Sequence, residues 1–259
     1  MPPRPNTARS GFSLLEMLLA MSLLLLISAI AFGFYGRYAQ RYSVEMESSN
    51  LSAAGDRAIG SITGDLRMAG YPPAPAASAF ELYLYPTVNN TPYDGVSDNI
   101  VARGFDLPTP NMTASAATFE AALGNQGTLT SGQTGPVVDQ VEYALSAMPA
   151  DEVSGCAANP QYPTGTLWQL ERTVQVKSSS GGLGTAQTTP VLKQVFSANG
   201  NAPGIFTYLD ANGQVTAQPQ DVAEVIVAFT LQTCGADQYN HMPVQLSFSG
   251  DAFVRNVGK

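Results

Sequence analysis

One carboxylate stands inside an otherwise apolar stretch near the start of the chain. Residues 12–34 contain a single charged side chain, that of Glu16, and Gly11 comes directly before the stretch. A carboxylate at the centre of a membrane helix costs about 2 to 3 kcal/mol, and less near an end, so it normally has a partner. If the chain is cut after Gly11, the new α-amino group of Phe12 lies one helical turn before Glu16, on the same face. The spacing therefore predicts a charge pair between Glu16 and a Phe12 amine, within one chain or between neighbouring chains.

A second explanation of Glu16 needs no partner of this kind. An acidic residue in the first turn of a helix complements the helix dipole, an effect of only about 0.3 to 1 kcal/mol. From these residues alone, both explanations stay open.

The apolar stretch itself is long enough to cross a membrane. Residues 12–34 match a hydrocarbon core roughly 30 Å thick when they form a helix. A secretory signal peptide is the alternative, because Ala29 and Ala31 satisfy the small-x-small cleavage rule and Arg4 and Arg9 precede the stretch. Against it, the uncharged part is longer than an export signal requires and an acidic residue stands at its entrance. We therefore expect a retained membrane span over residues 12–34.

The order of residues around Gly11 resembles a known processing signal. Residues 10–18, which read Ser-Gly-Phe-Ser-Leu-Leu-Glu-Met-Leu after a short basic leader, are similar to the class III signal of type IV prepilins and pseudopilins. The resemblance implies that a prepilin peptidase removes residues 1–11 by cutting between Gly11 and Phe12 on the cytoplasmic side, and that Phe12 is then N-methylated. If Glu16 pairs with the Phe12 amine of a neighbouring chain, it is an assembly residue.

The helical pattern continues beyond the apolar stretch. Apolar residues recur there at three- and four-residue steps, the signature of one buried helical face, at Leu51, Ala54, Ala58, Ile62, Leu66 and Ala69. We expect one helix from residue 12 to about 69, in the membrane over 12–34 and in the periplasm as an amphipathic helix over 35–70. Gly70 and the prolines at 72 and 73 are expected to end it.

The remaining residues, 71–259, predict a loop-rich β domain. Only 12% of the chain is charged, and short alternating apolar segments predict strands at 99–104, 139–145, 166–176, 191–196, 205–209, 223–232 and 244–255. Gly250 is expected to form a turn in the last of these, and residues 72–136 to form long surface loops with only short ordered pieces. Arg172 interrupts an apolar strand face, so it should pair with a carboxylate or extend to water. The predicted fold class is α+β, with the long helix packed on an antiparallel sheet.

Two cysteines, Cys156 and Cys234, lie 78 positions apart at the borders of predicted strands. They form no CxxC pair, so neither a zinc site nor a dithiol redox motif is indicated. An exported head folds in an oxidising compartment, which predicts a Cys156–Cys234 disulfide.

Three further segments resemble the PilW family of minor pilins, which is related to the J-type pseudopilins of type II secretion. They are residues 65–71 at the helix end, residues 206–213, which contain Phe-x-Tyr-x-Asp-x-x-Gly, and residues 252–256. The resemblance implies a minor pilin that primes type IV pilus assembly, as in cell adhesion and twitching motility. Implied partners are prepilin peptidase, the major and other minor pilins, the inner-membrane assembly platform, membrane lipid and a tip adhesin. A J-type pseudopilin and an exported soluble binding domain are the alternatives.

Patterns typical of enzymes are missing from the sequence. It has one histidine, His241, and no GxSxG, GxxxxGK or HExxH motif. Asp210, Asn212 and Gly213 resemble the start of a calcium loop, but Asp221 stands where a bidentate glutamate belongs, so a β-turn is favoured. The formal net charge of −8 argues against nucleic acid as a partner. We therefore expect no catalytic activity, metal or cofactor.

Overall fold

The structure is a computed structural model. It describes residues 13–69, 87–88, 91–92, 112–121, 123, 125–128, 134–136, 138–149, 151–152, 156, 166–176, 183–236 and 242–254. The predicted cleavage residues Gly11 and Phe12, the helix-ending Gly70, the predicted strand at 99–104 and His241 lie outside these ranges. The chain divides into two compact units, Met1–Met46 and Glu47–Lys259.

A single helix, α1, runs over Leu14–Arg67 and is 54 residues long. Its bounds confirm the predicted long helix to within two residues at either end. In the first unit, the side chains of the apolar run are exposed on every side of the helix, with Leu25 at 70% and Phe32 at 75%. In the second unit, one face of the helix is buried, and Ile62 and Leu66 have no exposed surface.

The second unit contains the strands. In chain order they are β1 Thr87–Val88, β2 Thr91–Pro92, β3 Ala116–Ala121, β4 Gln126–Thr128, β5 Thr134–Pro136, β6 Asp139–Ala147, β7 Thr166–Val176, β8 Gln187–Ser197, β9 Phe206–Leu209, β10 Glu224–Ala236 and β11 Pro243–Phe253. Seven of them form one sheet in the order β11-β10-β8-β7-β6-β3, with β9 also paired to β10. Every pairing is antiparallel, which confirms the predicted α+β class.

The core lies between the inner face of this sheet and residues 47–67 of α1. Alternate residues of β10, namely Val225, Val227 and Leu231, have no exposed surface, as the period-2 pattern predicts. Burial of one such side chain stabilises the fold by about 1.5 to 3 kcal/mol. The alternation therefore fixes which face of β10 meets the helix.

One predicted turn is wrong. Gly250 lies inside β11, where it pairs with Val227 of β10. The reason for glycine there is the close approach of the helix, since a Cβ at this position would lie 2.6 Å from Cγ2 of Ile59. Gly55 of the helix has the same role, because a Cβ there would overlap the ring of Phe248.

The prediction that residues 72–136 form only loops with short ordered pieces also needs correction. Strand β3 lies within that range, pairs with β6 over six residues and is buried, with Phe119 fully enclosed. Its sequence, Ala-Ala-Thr-Phe-Glu-Ala, has little of the β-branched character that marks strands. Burial against the helix end, where Ala69 bridges to Ala121, overrides the weak local preference.

Candidate functional site: the helix start and its attachment to the sheet

The first turn of α1 is closed by a reciprocal pair of hydrogen bonds. The backbone N–H of Leu15 donates to Oγ of Ser13 over 3.3 Å, and the backbone N–H of Ser13 donates to Oε2 of Glu16 over 3.0 Å. A serine at the N-cap with a glutamate three residues later is a capping box. The pattern is present in the sequence as Ser-x-x-Glu, but the charge of Glu16 alone did not predict it.

The capping box gives Glu16 a partner within its own chain. Its carboxylate accepts from the peptide N–H that directly follows Phe12. A cut after Gly11 would place the Phe12 amine one residue away from this N–H. The geometry favours a local capping role for Glu16, and its pairing with a Phe12 amine stays a prediction.

The apolar run follows this first turn without interruption. Among the described residues, one helix is long and apolar enough to cross a membrane, and it is α1. A helix that is apolar on all sides requires an apolar environment on all sides, which a bilayer or a bundle of such helices provides. The run is therefore suited to membrane anchoring.

Two carboxylates attach the second-unit part of α1 to the sheet. The first is Asp65, whose Oδ2 accepts from the hydroxyl of Tyr143 and from Nε of Arg172, each over 2.7 Å. We call these three residues the Asp65 cluster. The side chains of Arg172 and Asp65 are only 24% and 19% exposed, and Tyr143 is fully buried. Arg172 therefore pairs with a carboxylate, one of the two outcomes that the sequence predicted.

Burial and charge act together on Tyr143. Desolvation, followed by the negative charge of Asp65, raises the pKa of the phenol well above its ordinary value. The hydroxyl therefore stays protonated and remains a donor to Asp65 at any physiological pH. The cluster therefore joins the helix to strands β6 and β7 through an ion pair and a hydrogen bond.

The second carboxylate is Glu47, at the other end of the same helical face. Its Oε1 accepts from the backbone N–H of Cys234 over 2.6 Å and from Nε2 of Gln194 over 3.0 Å, and its Oε2 accepts from the N–H of Gly235 over 3.1 Å. We call these four residues the Glu47 cluster. Gln194 adopts a left-handed backbone, with φ of 63°, at this point of β8. Hydrogen bonds to an ionised group are worth about 1.5 to 3 kcal/mol each when the group is desolvated.

The disulfide lies in the same cluster. Cys234 is bonded to Cys156, the pair that the sequence predicted. Near Cys156, Nζ of Lys193 on β8 donates to both carboxylate oxygens of Glu152, over 2.7 and 2.8 Å. The segment that carries Glu152 and Cys156 is thus fastened to two neighbouring strands.

Glu47 was not recognised in the sequence. Its partners are mainly backbone amides, which have no sequence signature, and they become neighbours only when β8 and β10 pair. One signal was present, because Glu47 lies four residues before Leu51 and therefore on the buried stripe. A carboxylate on a buried stripe requires hydrogen-bond donors.

The turn at Asp210 shows why a calcium loop is not needed to explain its sequence. Oδ1 of Asp210 accepts from the backbone N–H of Asn212 and of Gln214, each over 2.8 Å. These bonds lower the pKa of Asp210, with the Gln214 N–H as the largest cause. Gly213 has φ of 75°, the left-handed conformation that a tight hairpin requires. Within the ranges described, no group of three or more His, Cys, Asp or Glu residues is arranged to hold a metal ion.

The comparisons with known proteins support the prepilin-type signal predicted at the start of the chain. Residues 6–32 match the family model described as the prokaryotic N-terminal methylation motif. The motif indicates a type IV pilin-like or pseudopilin precursor, processed by prepilin peptidase and assembled into a pilus or pseudopilus. A search of curated proteins and a search of solved structures each give no match.

Proposed function

We propose that the protein is a minor pilin of the PilW type, which helps to initiate type IV pilus assembly at the inner membrane. The observation that carries the proposal is the continuity of one helix. The methylation motif at 6–32 opens a helix that is apolar all round in the first unit and attached to a β-sheet in the second. The resemblances at residues 65–71, 206–213 and 252–256 favour a PilW-like head.

In this proposal the leader faces the cytoplasm, residues 12–34 span the inner membrane and the head lies in the periplasm, reaching the pilus tip after assembly. The disulfide supports an oxidising compartment for the head. Helix packing between subunits drives polymerisation, and the protein acts without catalysis. Its partners are other minor pilins, the major pilin and the assembly platform, with a tip adhesin as a further partner.

The mature N-terminus tests the processing step. Mass spectrometry of the membrane-extracted protein should give an N-methylated Phe12, and Gly11→Ala should accumulate as uncleaved precursor. The control is Ser10→Ala, which changes the neighbouring leader residue and should leave cleavage intact. A mature protein that begins near Phe32 would identify an ordinary export signal and contradict the proposal.

The role of Glu16 is tested by incorporation. Glu16→Ala should be inserted and cleaved but poorly assembled, whereas Glu16→Gln separates the two roles of the carboxylate. The amide can still accept from the Ser13 N–H but cannot pair with a charged amine. Normal assembly of both variants would remove Glu16 from the assembly mechanism.

A deletion distinguishes the pilus from a secretion system. Loss of the gene should reduce surface pili and twitching, with restoration by the wild-type gene, and leave exoprotein secretion unchanged. The opposite result, normal pili with blocked secretion, would favour the alternative of a J-type pseudopilin.

A further inference from the structure

Three tyrosines follow the apolar run and lie on one side of α1. Tyr35, Tyr38 and Tyr42 are 72%, 69% and 54% exposed. At 100° per residue they fall within an arc of roughly 60°. Their exposed rings form a stripe along this side of the helix.

The position of this stripe along the helix is that of a membrane interface. Residues 14–34 have a helical length of about 31 Å, close to the hydrocarbon thickness of about 30 Å. Tyrosine prefers the interface, since its ring is apolar and its hydroxyl is polar. Tyr35 would therefore lie at the boundary of the hydrocarbon, in the headgroup layer.

Tyr42 does not fit an upright helix. It is about 10 Å beyond Tyr35 along the axis, whereas each headgroup layer is only about 5 to 8 Å thick. A tilt of about 25° towards the tyrosine side would bring its ring back into the layer. Membrane helices are tilted by about 20° on average, so the required tilt is ordinary.

The two arginines of the same turns lie on another side of the helix. Arg37 and Arg41 are roughly 200° and 240° around from Tyr35. Glu45, at roughly 280°, lies close in angle to Tyr38 but about 10 Å farther from the apolar run along the axis. Nε of Arg41 donates to Oε1 of Glu45 over 2.7 Å, and both side chains are more than half exposed. Tilting towards the tyrosines therefore turns the arginine side towards water.

We propose that Tyr35, Tyr38 and Tyr42 bind the phospholipid headgroup layer and set the direction in which the anchor helix tilts. The inference rests on the proposed membrane anchoring and adds an orientation to it. The partner is the lipid surface, and the arginine side of the same turns faces the aqueous phase.

The test compares the depth of two positions on opposite sides of the helix. The full-length chain has one tryptophan, Trp168, so Trp168→Phe removes the intrinsic tryptophan fluorescence. Tyr42→Trp and, separately, Gln40→Trp are then reconstituted in phosphatidylcholine–phosphatidylglycerol vesicles containing lipids brominated at defined depths. In an upright helix, position 40 would be about 3 Å deeper than position 42. The proposed tilt reverses the order and makes position 42 deeper by about 2 Å.

Each outcome decides something different. The proposal is supported if position 42 is deeper than position 40. When Tyr35→Ala and Tyr38→Ala are added, position 40 should become the deeper one, as in an upright helix. The control Phe34→Ala, which lies off the stripe, should leave position 42 deeper. Position 40 deeper than position 42 in the parent overturns the tilt and leaves the anchor intact. No quenching at either position overturns membrane anchoring itself. Quenching at position 42 that falls as the protein-to-lipid ratio rises would mean that a second helix covers the stripe, and would overturn the lipid assignment.

Discussion

Residues 14–46 and residues 47–67 belong to one continuous helix, yet they are built for different surroundings. In the first part, large apolar side chains are exposed in every direction, and the described polar contacts are local to the helix, as between Arg41 and Glu45. In the second part, one face is buried and two carboxylates bond to strands far away in the sequence. The difference shows that the surroundings of a helix are indicated by how its apolar residues are arranged around the axis, more than by how many there are.

The largest expected effect comes from truncating the buried face. Ile62→Ala should lower the free energy of unfolding of the head by about 2 to 5 kcal/mol, because Ile62 is fully buried among helix and sheet residues. The matched control is Leu24→Ala, at a position 65% exposed in the first unit, which should leave head stability unchanged. Urea denaturation in detergent measures both. Equal losses would show that the two parts of the helix share one core.

Removal of the disulfide should rank next. Cys156→Ser should lower the free energy of unfolding by roughly 2 to 5 kcal/mol, since the bond closes a long loop in the unfolded chain. Comparing urea midpoints of the oxidised parent, the reduced parent and the variant gives the value. If the reduced parent were as stable as the oxidised one, the disulfide would contribute nothing to the head.

Two glutamates on either side of the unit boundary offer a direct comparison. Glu47→Gln keeps the shape of the side chain but removes its charge and one acceptor, so it should cost about 1 to 3 kcal/mol. Glu45→Gln weakens only an exposed pair with Arg41, worth about 0.5 kcal/mol or less. Similar effects of both variants on head unfolding would contradict the Glu47 cluster.

The smallest expected effects are those of alanine substitutions at two glycines of the same helix. Gly55→Ala should destabilise the head by about 1 to 2 kcal/mol, because the new methyl group forces the ring of Phe248 to move. Gly60→Ala meets no atom within 4 Å and should stabilise the helix by up to about 1 kcal/mol. Thermal unfolding of the two variants should shift in opposite directions. Stabilisation by both variants would show that helix propensity alone governs both sites.

The parts of the fold that the sequence revealed are those with strong periodicity. Strand β7 has the predicted bounds of 166–176, and α1 is recognisable because its apolar stripe continues past the membrane run. Strand β3 was not predicted because burial, and not the local preference of its residues, makes it a strand. The turn predicted at Gly250 was wrong because a glycine that allows a helix to approach closely cannot be told in the sequence from a glycine that forms a turn.

Only one of the two attachments of the helix to the sheet could be anticipated from the sequence. Because Arg172 interrupts an apolar strand face, it was expected either to pair with a carboxylate or to extend to water, and it pairs with Asp65. Glu47 gave no comparable signal, since it bonds to backbone amides brought together by the pairing of β8 with β10. Side-chain partners can be anticipated from residue types, whereas backbone partners follow from topology.

The spacing of Glu47 and Asp65 has a mechanical consequence. They are 18 positions apart, which is five complete helical turns and about 27 Å, so both project from the same side of the helix. A force applied along the helix axis would load both attachments at once, in shear, and neither could be peeled away before the other. A subunit held in this way would transmit tension from residues 47–67 of its helix to its sheet through both clusters together.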